Sequence, residues 1–317
     1  MARRALAAII NWNGAGFLEA ALESLLPQLE ETGTRLVVFD NASTDNSCET
    51  ARRICSHSPL ASVHRSPRNV GWDRAANSSV EMADTPFVVL ANNDTVFRPG
   101  ALNSLLSAIE SHEEAAVVGP KLLWPDGSLQ PSQRDFPFPR KLLLEHLPLL
   151  RALAAKHADH SVAGKADWLV GAVLAVRSRP FLEAGGFSSR YSFFHGETDL
   201  LYRLSKSGWS TWFEPSAEVV HLGSATQSAI YGDRMCLRYI PAKMLFLRIH
   251  GGPGSLLAFR ALMGGLQIAR MLCGRLLPGL AADDVRYSSH YCRSALRLLM
   301  GRAEPESWDG ISAAEEL

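Results

Sequence analysis

The chain has 317 residues, of which 47% are hydrophobic and 20% are charged, and its formal net charge is +0. This length accommodates one large α/β domain, or one such domain with an appendage. Overall neutrality argues against a nucleic-acid-binding protein, which would carry a strong basic excess. The five cysteines are scattered and show no metal-ligand spacing, so a reduced chain in the cytosol is expected.

Short apolar strands alternate with helical patterns over the first 220 residues, which is typical of a parallel sheet with helices on both faces. Strands are predicted at 5–10, 35–39, 62–65, 86–91, 115–118, 167–176, 211–214 and ending at 220. Helices are predicted at 17–29, at 45–54, from the turn at 69–71 to residue 82, at 99–111, shortly after 176 and at 197–207. The proline-rich and apolar-basic stretch at 131–165 interrupts this pattern and is interpreted as an insertion near the mouth of the site.

The strand at 86–91 ends in Asn92, Asn93, Asp94 and Thr95. Ligands of open α/β sheets bind just beyond the carboxyl ends of the strands. A single acid between amides suits a hard cation that bridges to a phosphate. The same residue types are common in turns and helix caps, so this stretch alone does not distinguish a metal site from an ordinary strand end.

Gly14 and Gly16 follow the first strand and Asp40 ends the second, which is the arrangement of a dinucleotide-binding fold. Glu19, however, occupies the position of the third glycine, where a side chain would block close helix–strand packing. A nicotinamide-dependent oxidoreductase is therefore the weaker alternative. Asp40 keeps a functional interpretation, because a carboxylate there accepts hydrogen bonds from a uracil or thymine N3–H or from a ribose hydroxyl.

Three later segments place polar groups at the ends of predicted elements. The residues 68–72, RNVGW, follow the third strand, with Asn77 one helical stretch further on. Glu197 and Asp199 stand at a predicted helix start, where the helix dipole accounts for one acid more easily than for two. His221 stands at the end of the last strand.

Together these motifs resemble glycosyltransferase family 2, the inverting enzymes of the GT-A fold, and in particular rhamnosyltransferase-type enzymes of bacterial surface polysaccharides. The matching stretches occur in the family's order and are INWNG at 10–14, VVFDNASTDNS at 37–47, RNVGW at 68–72 with Asn77, LANNDT at 90–95, WLVGAVLAVR at 168–177, GGF at 185–187, FFHGETDL at 193–200 and HLGS at 221–224. The resemblance implies an α/β fold of the GT-A type, a mixed sheet with helices on both faces, followed here by a C-terminal helical appendage.

The resemblance also implies a catalytic base at the start of the helix at 197–207. Glu197 would be this base, although the family usually has Asp, and Gly196 stands where the family usually has Glu. Glutamate is one methylene longer than aspartate, and the neighbouring glycine is expected to make room for it. Asp199 is the alternative base.

Metal and donor sites are implied in the same way. Asp94 and His221 would bind Mg²⁺ or Mn²⁺, and Asn92 replaces the first acid of the family's metal motif. Residues implied in nucleotide and donor binding are Asn11, Asn13, Asp40, Asn41, Arg68, Asn69, Gly71, Asn77, Asn92 and Asn93. Residues implied in the donor and acceptor pocket are Trp168, Gly171 and Ala172.

The expected reaction is a single displacement with inversion, in which rhamnose or another hexose leaves a dTDP- or UDP-linked donor for a hydroxyl of a glycan or a polyprenyl-linked acceptor. The competing class is a non-catalytic protein that binds nucleotide sugars. No nucleic-acid partner is expected.

The expected domains are a catalytic domain at 1–227, a basic amphipathic helical region at 228–302 and a polar tail at 303–317. Between residues 231 and 302 there are eleven cations against three acids, a net charge of +8. This composition indicates either peripheral attachment to an anionic membrane or a helical brace on the catalytic domain. No stretch has the uncharged length that spans a bilayer, so the chain is expected in the cytosol or at the inner face of the cell membrane.

Overall fold

The computed structural model describes residues 4–139, 159–191, 194–222, 235–276, 279 and 289–302. These residues divide into two compact units, the first formed by 4–135 and 159–222 and the second by 136–139 and the described residues from 235 onwards. Several predicted features lie outside the described residues, namely the basic-apolar stretch at 140–156, Phe193, Gly223, Ser224, the domain boundary between 227 and 228, and the polar tail at 303–317.

The first unit is built around a mixed sheet in which the strand order is β3-β2-β1-β4-β11-β6-β12-β5. Its strands are β1 (Ala5–Asn11), β2 (Thr34–Asp40), β3 (Ala61–Arg65), β4 (Phe87–Asn92), β5 (Thr95–Phe97), β6 (Ala115–Leu123), β7 (Leu129–Gln130), β8 (Gln133–Arg134), β9 (Gly164–Ala166), β10 (Trp168–Leu169), β11 (Val173–Arg177) and β12 (Ser210–His221). The small strands β8 and β10 form a separate antiparallel pair.

Helices connect these strands in the order that the sequence predicts. They are α1 (Leu18–Leu25), α2 (Leu29–Thr32), α3 (Ser47–Cys55), α4 (Trp72–Glu81), α5 (Ala101–Ser111), α6 (Ser178–Glu183) and α7 (Gly196–Lys206). The predicted helix at 17–29 is interrupted by a 3₁₀ turn over Leu26–Gln28. Pro27 lies in this turn and has no N–H with which to continue the ladder of α1.

The strand pairing agrees with a mixed sheet and corrects three predicted elements. The strands β1 to β4 pair in parallel, whereas β11 is antiparallel to both of its neighbours, β4 and β6. The predicted strand at 167–176 is two strands, β10 and β11. The two predicted strands near the C-terminal end of this unit are one strand, β12, whose register shifts between Glu214 and Glu218 around Pro215. The short strand β5 has too few residues to give a periodic signal.

Helices cover both faces of this sheet. On one face, alternate residues of β1 such as Ala7 and Ile9 pack with apolar residues of α1, α3 and α5 in one buried cluster. The helix α4 contributes nothing to that cluster, yet it packs on β1, β2 and β4, and must therefore cover the opposite face. The predicted mixed α/β architecture is confirmed.

The second unit is helical. Its described elements are α8 (Met235–Phe246), a π-helical turn (Leu247–Gly251), α9 (Gly252–Leu276) and α10 (Ser289–Leu299). The helix α10 packs on α8 and α9, and buried side chains in this unit include Phe246, Phe259 and Cys292.

The helix α9 differs from the sequence-based expectation that no stretch is suited to span a bilayer. Among the described residues, Gly254–Leu276 alone is long and apolar enough by length and composition to cross a membrane, and only 11% of its most apolar window is buried. Arg260 and Arg270 interrupt the sequence but do not lower the mean hydropathy of that window below 1.4.

Candidate active site

The buried side chain of Asn11 joins the ends of β1, β2 and β4. Its Nδ2 atom lies 3.0 Å from Asp40 Oδ1, 3.1 Å from Ser43 Oγ and 2.9 Å from Ser47 Oγ. Its Oδ1 atom accepts a hydrogen bond of 2.9 Å from Asn93 Nδ2. Both the nitrogen and the oxygen of the Asn11 amide therefore have hydrogen-bond partners within the protein, and these bonds position Asp40 and Asn93.

Asp40 lies at the carboxyl end of β2 and is 0% exposed. Besides Asn11, it accepts a hydrogen bond of 3.3 Å from the Ser43 N–H, and its Oδ2 atom lies 3.5 Å from Nε of the half-exposed Arg65. A nucleotide base that contacts this carboxylate must therefore displace part of this shell.

Amide side chains fix the loop between β3 and α4. Asn41 donates to Asn69 Oδ1 over 2.8 Å and accepts from the Val70 N–H over 2.9 Å. Asn69 Oδ1 also accepts from the N–H of Gly71, whose φ of 80° favours glycine. Arg68, in the same loop, is exposed.

Asn13 and Asn77 bind groups of other segments of the chain. Asn13 accepts hydrogen bonds from the N–H and the hydroxyl of Thr44. Asn77 donates to the Phe187 carbonyl over 2.9 Å and accepts from the Phe187 N–H over 2.8 Å, and its carbonyl lies against Gly186. Asn77 thus attaches the predicted GGF stretch to α4, and the structure places it in that contact rather than beside Asp40.

Asp94 and His221 form a buried pair. The strands β5 and β12 are antiparallel, and His221 lies opposite Thr95, the residue after Asp94. The side chains of His221 and Asp94 are therefore close, and His221 Nε2 lies 3.5 Å from Asp94 Oδ1. The other ring nitrogen of His221 lies 2.9 Å from Gln130 Oε1, which orients the ring. His221 Nε2 is buried and has no hydrogen-bond partner among the described residues. An orphaned nitrogen beside a carboxylate is a donor set that fits a divalent cation.

Glu197 lies in the first turn of α7, just after His195. His195 has a φ of 67°, and its Nδ1 atom lies 3.0 Å from Thr198 Oγ1, which fixes the start of this helix. A Cβ atom on Gly171 would lie 3.6–3.8 Å from the Glu197 side chain, so Gly171 forms one wall around it. Burial raises the pKa of the Glu197 carboxyl to about 7. The side chain thus combines partial exposure with a pKa that suits a general base.

Asp199 is in a different environment. It is 2% exposed, and Arg203 donates to it over 2.7 Å from one turn further along α7. Arg203 also donates to the carbonyls of Ala184 and Gly186. The Asp199 carboxylate is thereby neutralised within a structural network, so this geometry favours Glu197 as the base.

The residues 168–172 connect the two ends of the site. The Ala172 carbonyl accepts a hydrogen bond of 2.9 Å from the N–H of Asn92, and a Cβ atom on the preceding Gly171 would lie 3.6–3.8 Å from the Glu197 side chain. Trp168 donates from Nε1 to the Asp135 carbonyl over 2.8 Å. One short segment therefore pairs with the end of β4, two residues before Asp94, and passes close to the side chain of Glu197.

Three further residues contact the residues of this site, and the sequence alone did not indicate their roles. Gln130 holds His221, Asp73 lies beside Gly196, and Gly14 allows the amides of Asn11 and Asn93 to meet. Gln130 has no sequence signal, because its role depends on the pairing of β7 with β6. The expectation that Gly196 makes room for Glu197 is not what the structure shows: the atoms nearest to a Cβ on Gly196 belong to Asp73.

Comparisons with known proteins agree with the fold and identify a family. The family model described as Glycosyl transferase family 2 matches residues 7–161. The N-acetylglucosaminyl-diphospho-decaprenol L-rhamnosyltransferase of Mycobacterium tuberculosis is 30% identical in an alignment 245 residues long, which covers 67% of this chain and 74% of that protein. The succinoglycan biosynthesis protein ExoA of Rhizobium meliloti is 24% identical over 66% of this chain and 60% of its own length.

Two solved structures share the fold. The mannosyltransferase PcManGT from Pyrobaculum calidifontis, in complex with GDP-Man and Mn²⁺, has a TM-score of 0.57 and 16% identity, over 95% of this chain and 85% of its own. GalNAc-T7 with UDP, GalNAc and Mn²⁺ has a TM-score of 0.57 and 14% identity, over 75% of this chain and 48% of its own.

The substitution Gly14→Ala tests the meeting of the two amides. Its Cβ would lie 2.3 Å from Asn93 Nδ2 and 2.4 Å from Asn11 Oδ1, so the hydrogen bond between them must break or shift. We expect the free energy of unfolding to fall by about 1–3 kcal/mol, as measured by urea titration. Gly16→Ala is the matched control, because a Cβ there meets nothing within 4 Å. Equal effects of the two substitutions would contradict this interpretation.

Proposed function

The chain belongs to glycosyl transferase family 2, and on that premise we propose that it transfers rhamnose or another hexose from a nucleoside-diphosphate donor to a hydroxyl of a polyprenyl-linked glycan. It is a glycosyltransferase of polysaccharide synthesis, and neither a non-catalytic nucleotide-sugar-binding protein nor a nicotinamide-dependent oxidoreductase is favoured by its relatives.

The roles are assigned mainly from the positions of Glu197 and of the Asp94–His221 pair, which lie near the same short segment, residues 171 and 172. Gly171 lies close to Glu197, with room for no more than a Cβ atom between them, and the adjacent Ala172 accepts a hydrogen bond from the backbone of Asn92, two residues before Asp94. Glu197 makes no ion pair with another described residue, whereas Asp94 faces the orphaned nitrogen of His221. This arrangement supports a proton acceptor at one end and a diphosphate site at the other.

In the proposed reaction, Glu197 accepts the proton of an acceptor hydroxyl, and that oxygen forms a bond to the anomeric carbon of the donor sugar. The bond from the anomeric carbon to the diphosphate oxygen breaks on the opposite side, and the nucleoside diphosphate leaves with that electron pair. One displacement gives an inverted product. Gly171 leaves the Glu197 carboxyl open on the side where a larger residue would cover it.

Asp94 and His221 are the residues that would hold Mg²⁺ or Mn²⁺. Bound there, such a cation supplies positive charge that offsets the negative charge developing on the leaving diphosphate. No group of three or more His, Cys, Asp or Glu residues suited to a metal occurs within the described part of the chain. The proposed site therefore takes oxygens of the diphosphate as further ligands, and metal and donor bind together.

The donor and acceptor are assigned by chemistry and by the M. tuberculosis relative. That relative is named as a rhamnosyltransferase acting on N-acetylglucosaminyl-diphospho-decaprenol. We assign this chain a dTDP- or UDP-linked sugar, with Asp40 and Asn41 on the base side and with Asn92 and Asn93 near the diphosphate. A polyprenyl-linked acceptor is a membrane lipid, and we therefore propose that the reaction takes place at the inner face of the cell membrane.

The second unit supplies a surface for that location. Four large apolar side chains on α9 are 49–80% exposed and lie within an arc of about 100° on the helix surface. They are Leu257, Ile268, Leu272 and Leu276. The sequence from 231 to 302 carries a net charge of +8, which favours an anionic lipid surface. Peripheral attachment through residues 228–302 is therefore part of the proposal.

Glu197→Gln tests the base. The amide cannot accept the proton, so turnover should fall by about 10²–10⁴-fold, while the dissociation constant of the donor is unchanged. In the wild type, kcat/KM should fall below about pH 7, because the carboxyl with a pKa of about 7 becomes protonated there and ceases to be a base. Release of nucleoside diphosphate measures both. Normal turnover of the variant would refute the assignment.

Gln130→Ala and Asp94→Ala test the metal site. Gln130 orients His221, and loss of such a partner costs about 10–100-fold in metal affinity. Calorimetric titration with Mn²⁺ should give weak binding to the wild type alone and tighter binding with UDP or dTDP present, and both variants should lose this gain. The exposed Asp126→Ala serves as control. Tight binding of Mn²⁺ without nucleotide that survives Asp94→Ala would contradict the proposal.

Liposome flotation tests membrane attachment. The full chain should float with vesicles containing phosphatidylglycerol, more weakly at high salt, and should remain in the dense fraction with phosphatidylcholine alone. Leu272→Asp with Leu276→Asp should lower binding by about tenfold or more, whereas Leu182→Asp, an exposed leucine of the first unit, should not. Failure of the wild type to float with anionic vesicles would show that the second unit is a brace only.

A further inference from the structure

A carboxyl that the proposed mechanism does not use lies beside the base. Asp73 is in the first turn of α4, and a Cβ atom on Gly196 would lie 2.5 Å from Asp73 Oδ2, 2.9 Å from Oδ1 and 3.0 Å from Cγ. Contacts this short exclude any side chain at residue 196 while Asp73 keeps its position. A Cβ atom at residue 196 is accommodated only when the Asp73 carboxyl moves away from it.

The ordinary role of an acid in this position does not account for Asp73. An acid in the first turn of a helix usually binds free backbone N–H groups or interacts with the helix dipole as an anion. No side chain caps the N-terminus of α4, and the Asp73 carboxyl makes no hydrogen bond or ion pair with another described residue.

The two charged side chains that shift the pKa of the Asp73 carboxyl are both acids. Burial, Glu197 and Asp199 together raise the pKa of the Asp73 carboxyl to about 8. Glu197 and Asp199 both lie on α7, and Asp199 is already paired with Arg203. Because each negative charge disfavours the other, the two carboxyls hold one proton between them near neutral pH.

We propose that Asp73 is a positioning residue for the base, whose neutral carboxyl fills the space over Gly196 and keeps the pair Asp73–Glu197 at a single negative charge, carried by Glu197. This inference rests on the proposed role of Glu197. During turnover the proton of the acceptor hydroxyl goes to Glu197, and Asp73 keeps its own proton throughout. Ionisation of Asp73 would place a second negative charge beside Glu197, and repulsion would move the base from the wall formed by Gly171.

The pH dependence of turnover tests the charge. In the wild type, kcat should rise through about pH 7 and fall again above about pH 8. Asp73→Asn is neutral at every pH, so it should keep the rise and lack the fall, with little change in the KM of the donor. Glu81→Gln, an exposed acid on the same helix, should retain the wild-type profile. If Asp73 only filled space, Asp73→Asn would show the same fall of kcat above about pH 8 as the wild type. Such an identical fall would overturn the proposal.

A double-mutant cycle tests the contact. Gly196→Ala should lower kcat by about tenfold or more, because the Cβ displaces the Asp73 carboxyl and with it the start of α7. In Asp73→Ala this second substitution should cost almost nothing, because the obstructing carboxyl is absent. If the two substitutions lowered kcat independently, so that their effects multiplied in the double variant, the proposal would be overturned. Thermal unfolding of each variant confirms that it is folded.

The outcomes separate this inference from the proposed function. If Glu197→Gln retains turnover, the base itself is assigned wrongly. If Glu197→Gln is inactive but Asp73→Asn has the wild-type alkaline limb, the base is right and Asp73 does not control its charge.

Discussion

The hydrogen bond between the amides of Asn11 and Asn93 is the constraint on which the carboxyl edge of the sheet depends. It joins β1 to the end of β4, and the same Asn11 side chain reaches Asp40 at the end of β2. The bond exists because Gly14 has no Cβ, since any larger residue would occupy the same space. Three strand ends are thereby fixed by one neutral side chain. These hydrogen bonds hold the three strand ends together at the edge of the sheet where we propose that the nucleotide donor binds.

The acids near this edge of the sheet have different hydrogen-bond and charge partners, and these partners distinguish the roles that we propose for them. Asp40 is surrounded by neutral donors and a nearby Arg65, and Asp199 is neutralised by Arg203. Asp94 faces a histidine nitrogen that lacks a hydrogen-bond partner among the described residues. Glu197 has no cation beside it in the described structure, and burial raises its pKa. An acid of this last kind both takes up and releases a proton near neutral pH.

The sequence was sufficient for the order of the elements and for the residues at the strand ends. The strand ending at Asn92-Asn93-Asp94 was recognisable because an apolar run stops abruptly, and parallel strands bring such ends to one edge of a sheet. It did not indicate how each amide is used. Asn11 and Asn77 were expected to bind the donor, and both lie in hydrogen bonds to other parts of the chain.

Contacts between distant segments could not be predicted, because they depend on tertiary packing. Gln130 meets His221 only through the pairing of β7, β6 and β12, and Asp73 meets Gly196 only because α4 and α7 are neighbours. An acid in the first turn of a helix is so common that Asp73 carried no signal of its own. The short strand β5, which places Asp94 beside His221, is likewise defined by its partner strand.

The central claim is a single displacement in which Glu197 and the diphosphate lie on opposite sides of the anomeric carbon. The anomeric configuration of the product tests it most directly, measured by NMR on glycan formed by the full chain from its nucleotide sugar. A configuration opposite to that of the donor is the predicted result. A product that retains the donor's configuration would require a different reaction course and would contradict the account.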